Sequence, residues 1–305
     1  YTAIIAGFLI AFLGGSRVKI SGQTEALNKI VAGIVATDGM EGLVAATIIA
    51  GILLMLMGFL KLGAIVRFVP YTITTGFTAG IAVTLTIGQM KDFLGLTYPE
   101  GTATVETVEK VGALAHNIAT VNAQACIVGV VCLAVLFLWA RVPRAGERIP
   151  SSLVTLLVGI ALVSGLGLDV RTIGDLYAID GSLPAFHLPQ LDFALFRDQL
   201  ANGATIAILA AIESLLSCVV ADSMISAHHR ANTELVAQGV GNIAAVLFGG
   251  IPATGAIART AANVKAGGRT PVAGMVHALV LVAVLAFLMP YAALIPMPTI
   301  AAILF

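Results

Sequence analysis

The chain has 305 residues, of which 59% are hydrophobic and 10% charged, and its mean hydropathy is +1.02. Soluble domains carry about 25% charged residues, so this chain holds more apolar surface than its own core can hide, and a multi-span helical membrane protein is expected. A formal net charge of +0 gives no footprint for nucleic acid, and the lack of HExxH, P-loop lysine and nucleophile motifs argues against an intramembrane hydrolase, an ATPase or any enzyme.

Apolar stretches predict helices at 2–14, 22–37, 43–60, 70–95, 123–140, 151–167, 204–227, 233–249, 271–289 and 298–305, the last incomplete. Each full stretch approaches the roughly 20 residues of a span. The stretch 22–37 contains polar residues, and the segment after Gly250 is too short and polar for a whole span. Connectors are short except 96–122 and 168–203, which read as extramembrane loops. The chain opens at Tyr1 without a Met and stops at Phe305 inside an apolar run, so both ends are expected to be cut. Cys126, Cys132 and Cys218 fall in apolar runs without zinc or redox spacing and read as packing residues.

Charge bias supplies sidedness. With alternating spans, one side receives Arg17, Lys19, Lys61, Arg67, Arg141, Arg144, Arg148, Arg230, Lys265 and Arg269, and the other Lys91, Lys110, Arg171 and Arg197. The richer side is expected to be cytoplasmic. Most acids, among them Asp38, Glu41, Asp92, Glu100, Glu106, Glu109, Asp169, Asp175, Asp180, Asp192 and Asp198, fall opposite. Trp139 fits an interfacial belt at the inner face. The alternation holds only when 250–268 counts as a broken crossing.

Four ionisable residues, Glu25, Lys29, Glu213 and Arg259, remain at membrane depth, where a charge costs several kcal/mol and marks a functional site by default. Arg259 lies in GGIPATGAIARTAANVKAGG, residues 249–268. Extended chain through Pro252 and Gly255 meets a helical pattern, which leaves N–H groups unpaired at the helix start. Those groups and the helix dipole attract anions, and an arginine there adds a cation suited to oxyanions. The stretch reads as an anion seat; a purely structural arginine that neutralises Glu213 or Glu25 is the alternative. VKISGQTEALNKIVAGI, residues 18–34, has the same layout. A β-branched piece (Val18, Lys19, Ile20) meets Ser21-Gly22, Ser21 is a candidate N-cap, and Glu25 and Lys29 are spaced to pair. Two strand–half-helix units are a mark of inverted-repeat transporters.

Glu213, with Ser217 one turn later on the same face, is a candidate holder of a coupling sodium ion or proton; a glutamate tied to Arg259 is the alternative. His277 reads as a packing residue rather than a proton relay. His228 and His229 read as solvated, and Asp222 as a wet boundary residue. Gly76 and Gly80 read as a helix-packing pair, and Pro296 and Pro298 as a helix entry.

YTAIIAGFLIAFLGGSRVKISG at 1–22 resembles the second half of the signature of sulfate permeases, the SulP family, relatives of the animal multifunctional anion exchangers. GAIVRFVPYTITTGFTAGIAV at 63–83, AIESLLSCVVADSM at 211–224, residues 232–274 and IPMPTIAAILF at 295–305 look like further family blocks in the family's order. The resemblance implies an all-α, polytopic, seven-plus-seven inverted-repeat fold shared with uracil permeases, with two broken half-helices. It implies a core domain at 1–62 and 201–290 (family helices two to four and eight to eleven). It implies a gate domain at 63–200 (helices five to seven with outer loops) and 291–305 (the start of helix twelve). On this resemblance the family's first helix, the rest of the twelfth, the last two helices and the cytoplasmic STAS domain are expected to fall outside these 305 residues.

The resemblance further implies an anion held between the starts of the family's third and tenth helices, here Ser21 to Glu25 and Gly255 to Thr260. The expected anion ligands are Arg259, Gly255, Ala256, Ala258, Thr260, Thr24 and Glu25. Glu213 matches the acidic coupling position on the family's eighth helix, with Ser217 beside it. The third-helix start departs from Ser-Gly-Pro-Thr-Gly-Ala, reading Ser21-Gly22-Gln23-Thr24-Glu25-Ala26. Ile257 stands where some sodium-coupled relatives place a hydroxyl, which favours a proton over sodium. The expected function is secondary active transport of sulfate, bicarbonate or dicarboxylate by a homodimer in the plasma membrane, proton-coupled and without cofactor or metal. An uncoupled exchanger or channel, a nucleobase permease and a non-transporting sensor are the alternatives.

Overall fold

The computed structural model describes residues 1–64, 71–99, 101–104, 106–139, 141–143, 146, 149–177, 181–189 and 192–305. Arg67, Glu100, Arg144, Arg148 and Asp180, five of the charges that set sidedness, lie outside the described residues, as does part of the 63–83 block.

Helix α1, Thr2–Leu13, ends at Gly14, where the backbone turns extended and leads to β1, Ser21–Gly22. Helix α2 runs Glu25–Phe59 but breaks at Gly39, with φ +69° and ψ −169°. The predicted helices 22–37 and 43–60 are therefore one run interrupted at a glycine. Then come α3 (Tyr71–Phe93), α4 (Thr107–His116), α5 (Ala123–Trp139) and α6 (Ser151–Leu166). After shorter turns follow α7 (Leu200–Ile225), α8 (Ala231–Leu247), β2 (Thr254–Gly255) and α9 (Ile257–Lys265). Helix α10, Val272–Ala283, passes through a π-helical stretch at Val284–Leu288 into Met289–Ala292, and α11 is Met297–Leu304. Pro296 precedes α11 and Pro298 lies in its first turn, as expected of a helix entry.

Among the described residues, three helical runs are long and apolar enough to cross a membrane: Glu25–Phe59, Leu200–Ile225 and Val272–Ala292. Others are shorter than the roughly 20 residues of a full span. Helix α1 has 12 residues, α5 has 17 and α6 has 16; at ~1.5 Å per residue even α5 rises only about 26 Å. Polar caps and breakers shorten them. Asn122 accepts the Gln124 N–H at 2.9 Å at the start of α5, and Gly167, with φ +60°, ends α6.

Two compact units divide the chain, one of Tyr1–Gly76 with Ser182–Ala286 and one of Phe77–Gly181 with Phe287–Phe305. Within the first unit α2 packs on α7 and α8, and α1 packs on α8 and α10. Gly51 and Gly239 let α2 and α8 touch backbone to backbone: a Cβ on Gly239 would lie 2.4 Å from the Gly51 carbonyl oxygen. Close approach through small residues is the usual basis of helix contact in a bilayer. Gly76 and Gly80 do not act this way, since no described atom lies within 4 Å of a Cβ placed on either. The second unit centres on Ala125, Val128, Cys132, Val163, Val170 and Ala302. Cys132 and Cys218 are buried, and all three cysteines are free thiols.

The two strands pair antiparallel, Ser21 with Gly255 and Gly22 with Thr254, and Ala256 N–H extends the ladder to the Ile20 carbonyl at 2.9 Å. The β-branched piece 18–20 is thus the approach to the strand rather than the strand itself. Paired segments wedged among helices need small side chains: a Cβ on Gly255 would sit 2.9 Å from Ser214 Cα, and one on Gly22 would sit 2.7 Å from Arg259 Nη1. Ser21 belongs to the strand and is not the N-cap of α2; Thr24 holds that position, and its hydroxyl is engaged elsewhere.

Candidate functional site

Strand pairing brings the starts of α2 and α9 together within the first unit. Arg259, the third residue of α9, donates through Nη2 to the carbonyl of Gln23, one residue before the N-cap of α2. Helix starts leave their first N–H groups without intrahelical acceptors. In α9 the first intrahelical bond runs from Thr260 N to Ala256 O at 2.9 Å. Gly255 N–H donates to Ser214 Oγ at 3.0 Å and Ala256 N–H to Ile20 O. So of the expected seat, the N–H groups of Gly255, Ala256 and Thr260 already have protein acceptors. Among the described residues the open ones are those of Ile257, Ala258 and Arg259, matched at α2 by Ala26 and Leu27. The Glu25 carboxylate accepts from Asn28 Nδ2 at 2.7 Å, one turn along α2.

Helix α7 backs this junction with one face. Thr254 donates to the Ala210 carbonyl at 3.3 Å, and Ser214 Oγ lies 3.2 Å from Thr254 Oγ1. Glu213 is buried, and its Oε2 accepts from the Thr24 hydroxyl at 2.9 Å. Ser217 Oγ and Thr260 Oγ1 are 3.1 Å apart, and Thr260 Oγ1 also accepts the Ile20 N–H at 3.0 Å. The expected anion ligands and coupling residues are therefore cross-linked: Thr24 to Glu213, and Thr260 to Ser217. Arg259 and Glu213 each bond a partner other than the other. Residues 210, 213, 214 and 217 recur at helical spacing. Reading Glu213 only against Ser217 passed over Ser214, which the small polar residues on that stripe signalled, and Thr254, which lies on β2 and which the stripe does not signal.

Other placements differ from the sequence reading. Lys19 is not a loop cation: it is buried and ion-paired with Glu234, a residue the sequence gave no reason to single out. Lys29 is exposed. His229 is mostly buried rather than solvated, because Asp222 Oδ2 accepts both its backbone N–H (2.8 Å) and a ring contact at Nδ1 (2.7 Å). Its neighbour His228 is exposed as read. His277 is partly buried on α10.

The profile of the sulfate permease family matches residues 1–305. The chain belongs to the sulfate permease family. This is a family of transporters, not enzymes. The chain is 41% identical to the putative sulfate transporter YvdB of Bacillus subtilis, over 100% of this chain and 57% of that protein. It is 35% identical to the bicarbonate transporter BicA of Synechocystis sp., over 99% of this chain and 54% of that protein. The chain thus spans about half the length of the curated relatives it matches. Its fold matches the transmembrane domain of a cyanobacterial BicA with a TM-score of 0.80 at 32% identity, covering 99% of this chain and 78% of that one. It matches SLC26A9 with a TM-score of 0.79 at 20% identity, covering 100% of this chain and 51% of that one, a likeness of fold alone.

Proposed function

We propose that this permease is a secondary active transporter of a small oxyanion, of the sulfate, bicarbonate or dicarboxylate class, driven by a proton and working as a homodimer in the plasma membrane. One observation carries the reading above others. The antiparallel strand pair sets two helix starts with open N–H groups side by side, with Arg259 reaching across to Gln23. Guanidinium carries five N–H donors, so Arg259 can keep the Gln23 carbonyl and still present donors to an oxyanion beside the N–H groups of Ile257–Arg259 and of Ala26 and Leu27. Names of relatives that specify sulfate and bicarbonate support the substrate class.

Coupling runs through Thr24. A hydroxyl has one hydrogen. With Glu213 ionised, that hydrogen is committed to Oε2; with Glu213 protonated, the carboxyl O–H donates to Thr24 and the Thr24 hydrogen is released toward the anion. Proton and anion then favour each other's binding reciprocally. The paired strand–helix units also support a seven-plus-seven inverted repeat. In it a core of 1–62 and 201–290 moves against a gate of 63–200 and 291–305 in alternating access.

The test is uptake of labelled sulfate, bicarbonate and fumarate into liposomes holding the full-length protein, with and without an inward proton gradient. Gradient-driven uptake of one anion, lost in Arg259→Ala and uncoupled from the gradient in Glu213→Gln, is expected. Uptake that ignores both the gradient and Glu213→Gln moves the protein to uncoupled exchange or a channel. Undiminished uptake by a correctly inserted Arg259→Ala variant removes the seat.

A further inference from the structure

Two residues per strand are too few to pin a register by pairing alone, so something else must hold β1 against β2. Glu234, Gln238 and Asn242 recur every four residues on α8 and so share one face. All three are buried, at 1%, 0% and 0% exposure. Buried polar groups persist where their hydrogen bonds are filled, and here the bonds reach the segments that lead into both strands. Glu234 Oε2 accepts from Gly15 N at 2.9 Å and Ser16 N at 3.1 Å, while Oε1 pairs with Lys19. Gln238 Oε1 accepts from Lys19 Nζ at 3.1 Å, and its Nε2 donates to the Ala253 carbonyl at 2.6 Å. Asn242 grips Ala253 twice, Nδ2 to the carbonyl at 3.0 Å and Oδ1 from the N–H at 2.8 Å. Lys19 stands two residues before β1 and Ala253 one residue before β2. Helix α8 thus holds the approaches to both strands, and Gln238 touches the two at once.

We infer that Glu234, Gln238 and Asn242 are positioning residues of the anion site, fixing the register of β1 on β2 and through it the placement of Arg259 at the start of α2. The inference rests on the anion-site reading above. None of the three contacts the anion; they act through Lys19 and Ala253. A shift of one strand along the other would carry Arg259 away from Gln23 and separate the two sets of open N–H groups, weakening anion binding while leaving the moving parts intact.

Gln238→Glu and Asn242→Asp each keep an acceptor and remove the donor to the Ala253 carbonyl. In liposomes of full-length protein, with rates normalised to folded protein from gel filtration, each is expected to raise the half-saturating anion concentration about tenfold or more. The maximal rate is expected to stay within about twofold. An unchanged half-saturating concentration, whether the rate per folded protein holds or only the yield of folded protein falls, would reduce the face to a structural brace and overturn the inference. Arg259→Ala, run alongside, separates the two failures. Normal uptake by Arg259→Ala defeats the site itself. Loss of uptake in Arg259→Ala with unaltered half-saturation in both α8 variants defeats only the positioning role.

Discussion

Gly255 and Gly22 lie on neighbouring strands, but a methyl group on each would strike different things. At Gly255 the nearest atoms are Ser214 Cα at 2.9 Å and Ser217 Cβ at 3.0 Å, both fixed by α7. At Gly22 the nearest is Arg259 Nη1, the end of a flexible side chain. Overpacking against fixed atoms costs about 1–3 kcal/mol, so Gly255→Ala is expected to lower the unfolding midpoint in detergent. Gly22→Ala is expected to leave that midpoint nearly unchanged and to displace the guanidinium, so that anion uptake falls at least tenfold. Equal midpoints for the two variants would contradict the contrast. Thr24→Val makes a separate case. It deprives buried Glu213 of the hydroxyl at 2.9 Å, and stranding a buried acceptor costs about 1–3 kcal/mol. The proton-coupling reading further expects Thr24→Val to abolish the gradient dependence of uptake while anion binding persists. Gradient-driven uptake by the variant at the unmodified level would remove Thr24 from the coupling path.

At the scale of elements, local periodicity carried most of the reading. Apolar runs located α1, α5, α6, α7 and α8 within a few residues, because an apolar run and the polar residues that interrupt it are both local features of the chain. The break in α2 was legible as a gap between two apolar stretches, and Gly39 explains it. Its φ of +69° and ψ of −169° lie in a region that is essentially glycine-only and costs other residues about 1–3 kcal/mol. Gly39→Ala is therefore expected to destabilise the protein by that amount in detergent unfolding, although no described atom lies within 4 Å of the added carbon. No change in midpoint would show that the break relaxes into straight helix. What the sequence hid was long-range. Lys19 and Glu234 meet across more than two hundred residues, so no spacing rule links them, and Lys19 looked like an ordinary loop cation. The strands fell at Ser21–Gly22 and Thr254–Gly255 because the space between helices selects small residues over β-branched ones. The two helix starts were each legible in the sequence. Their joining by Arg259 and Gln23, and the cross-links from Thr24 to Glu213 and Thr260 to Ser217, came only from the fold.

Across the whole molecule Lys19 drops out of the charge bias, since it is buried in an ion pair and is not a loop charge. The richer side then keeps nine basic residues against four, and the bias keeps its direction. That bias requires residues 250–268 to cross the membrane, although α9 has only nine residues and rises about 14 Å. The chain from Gly250 to Ala256 supplies the rest: fully extended, its seven residues reach at most about 23 Å at ~3.3 Å each, so strand and half-helix together are long enough for the ~30 Å hydrocarbon core. Packing agrees with a crossing. Val264, near the end of α9, clusters with Val18 and with Ala221 near the end of α7, while Arg230, at the start of α8, donates its N–H to Gly15. Lys265 therefore belongs on the same side as Arg230, which the positive-inside rule makes cytoplasmic, and Ser182 belongs opposite. Single cysteines placed by Lys265→Cys, His228→Cys and Ser182→Cys, in a background without Cys126, Cys132 and Cys218, would be probed in intact cells with a membrane-impermeant maleimide. Labelling at 182, with protection at 228 and 265 until the membrane is permeabilised, is the expected pattern. Labelling at 265 from outside, with 228 still protected, would mean that the strand and half-helix turn back within the membrane, and a whole crossing would have to be removed from the topology.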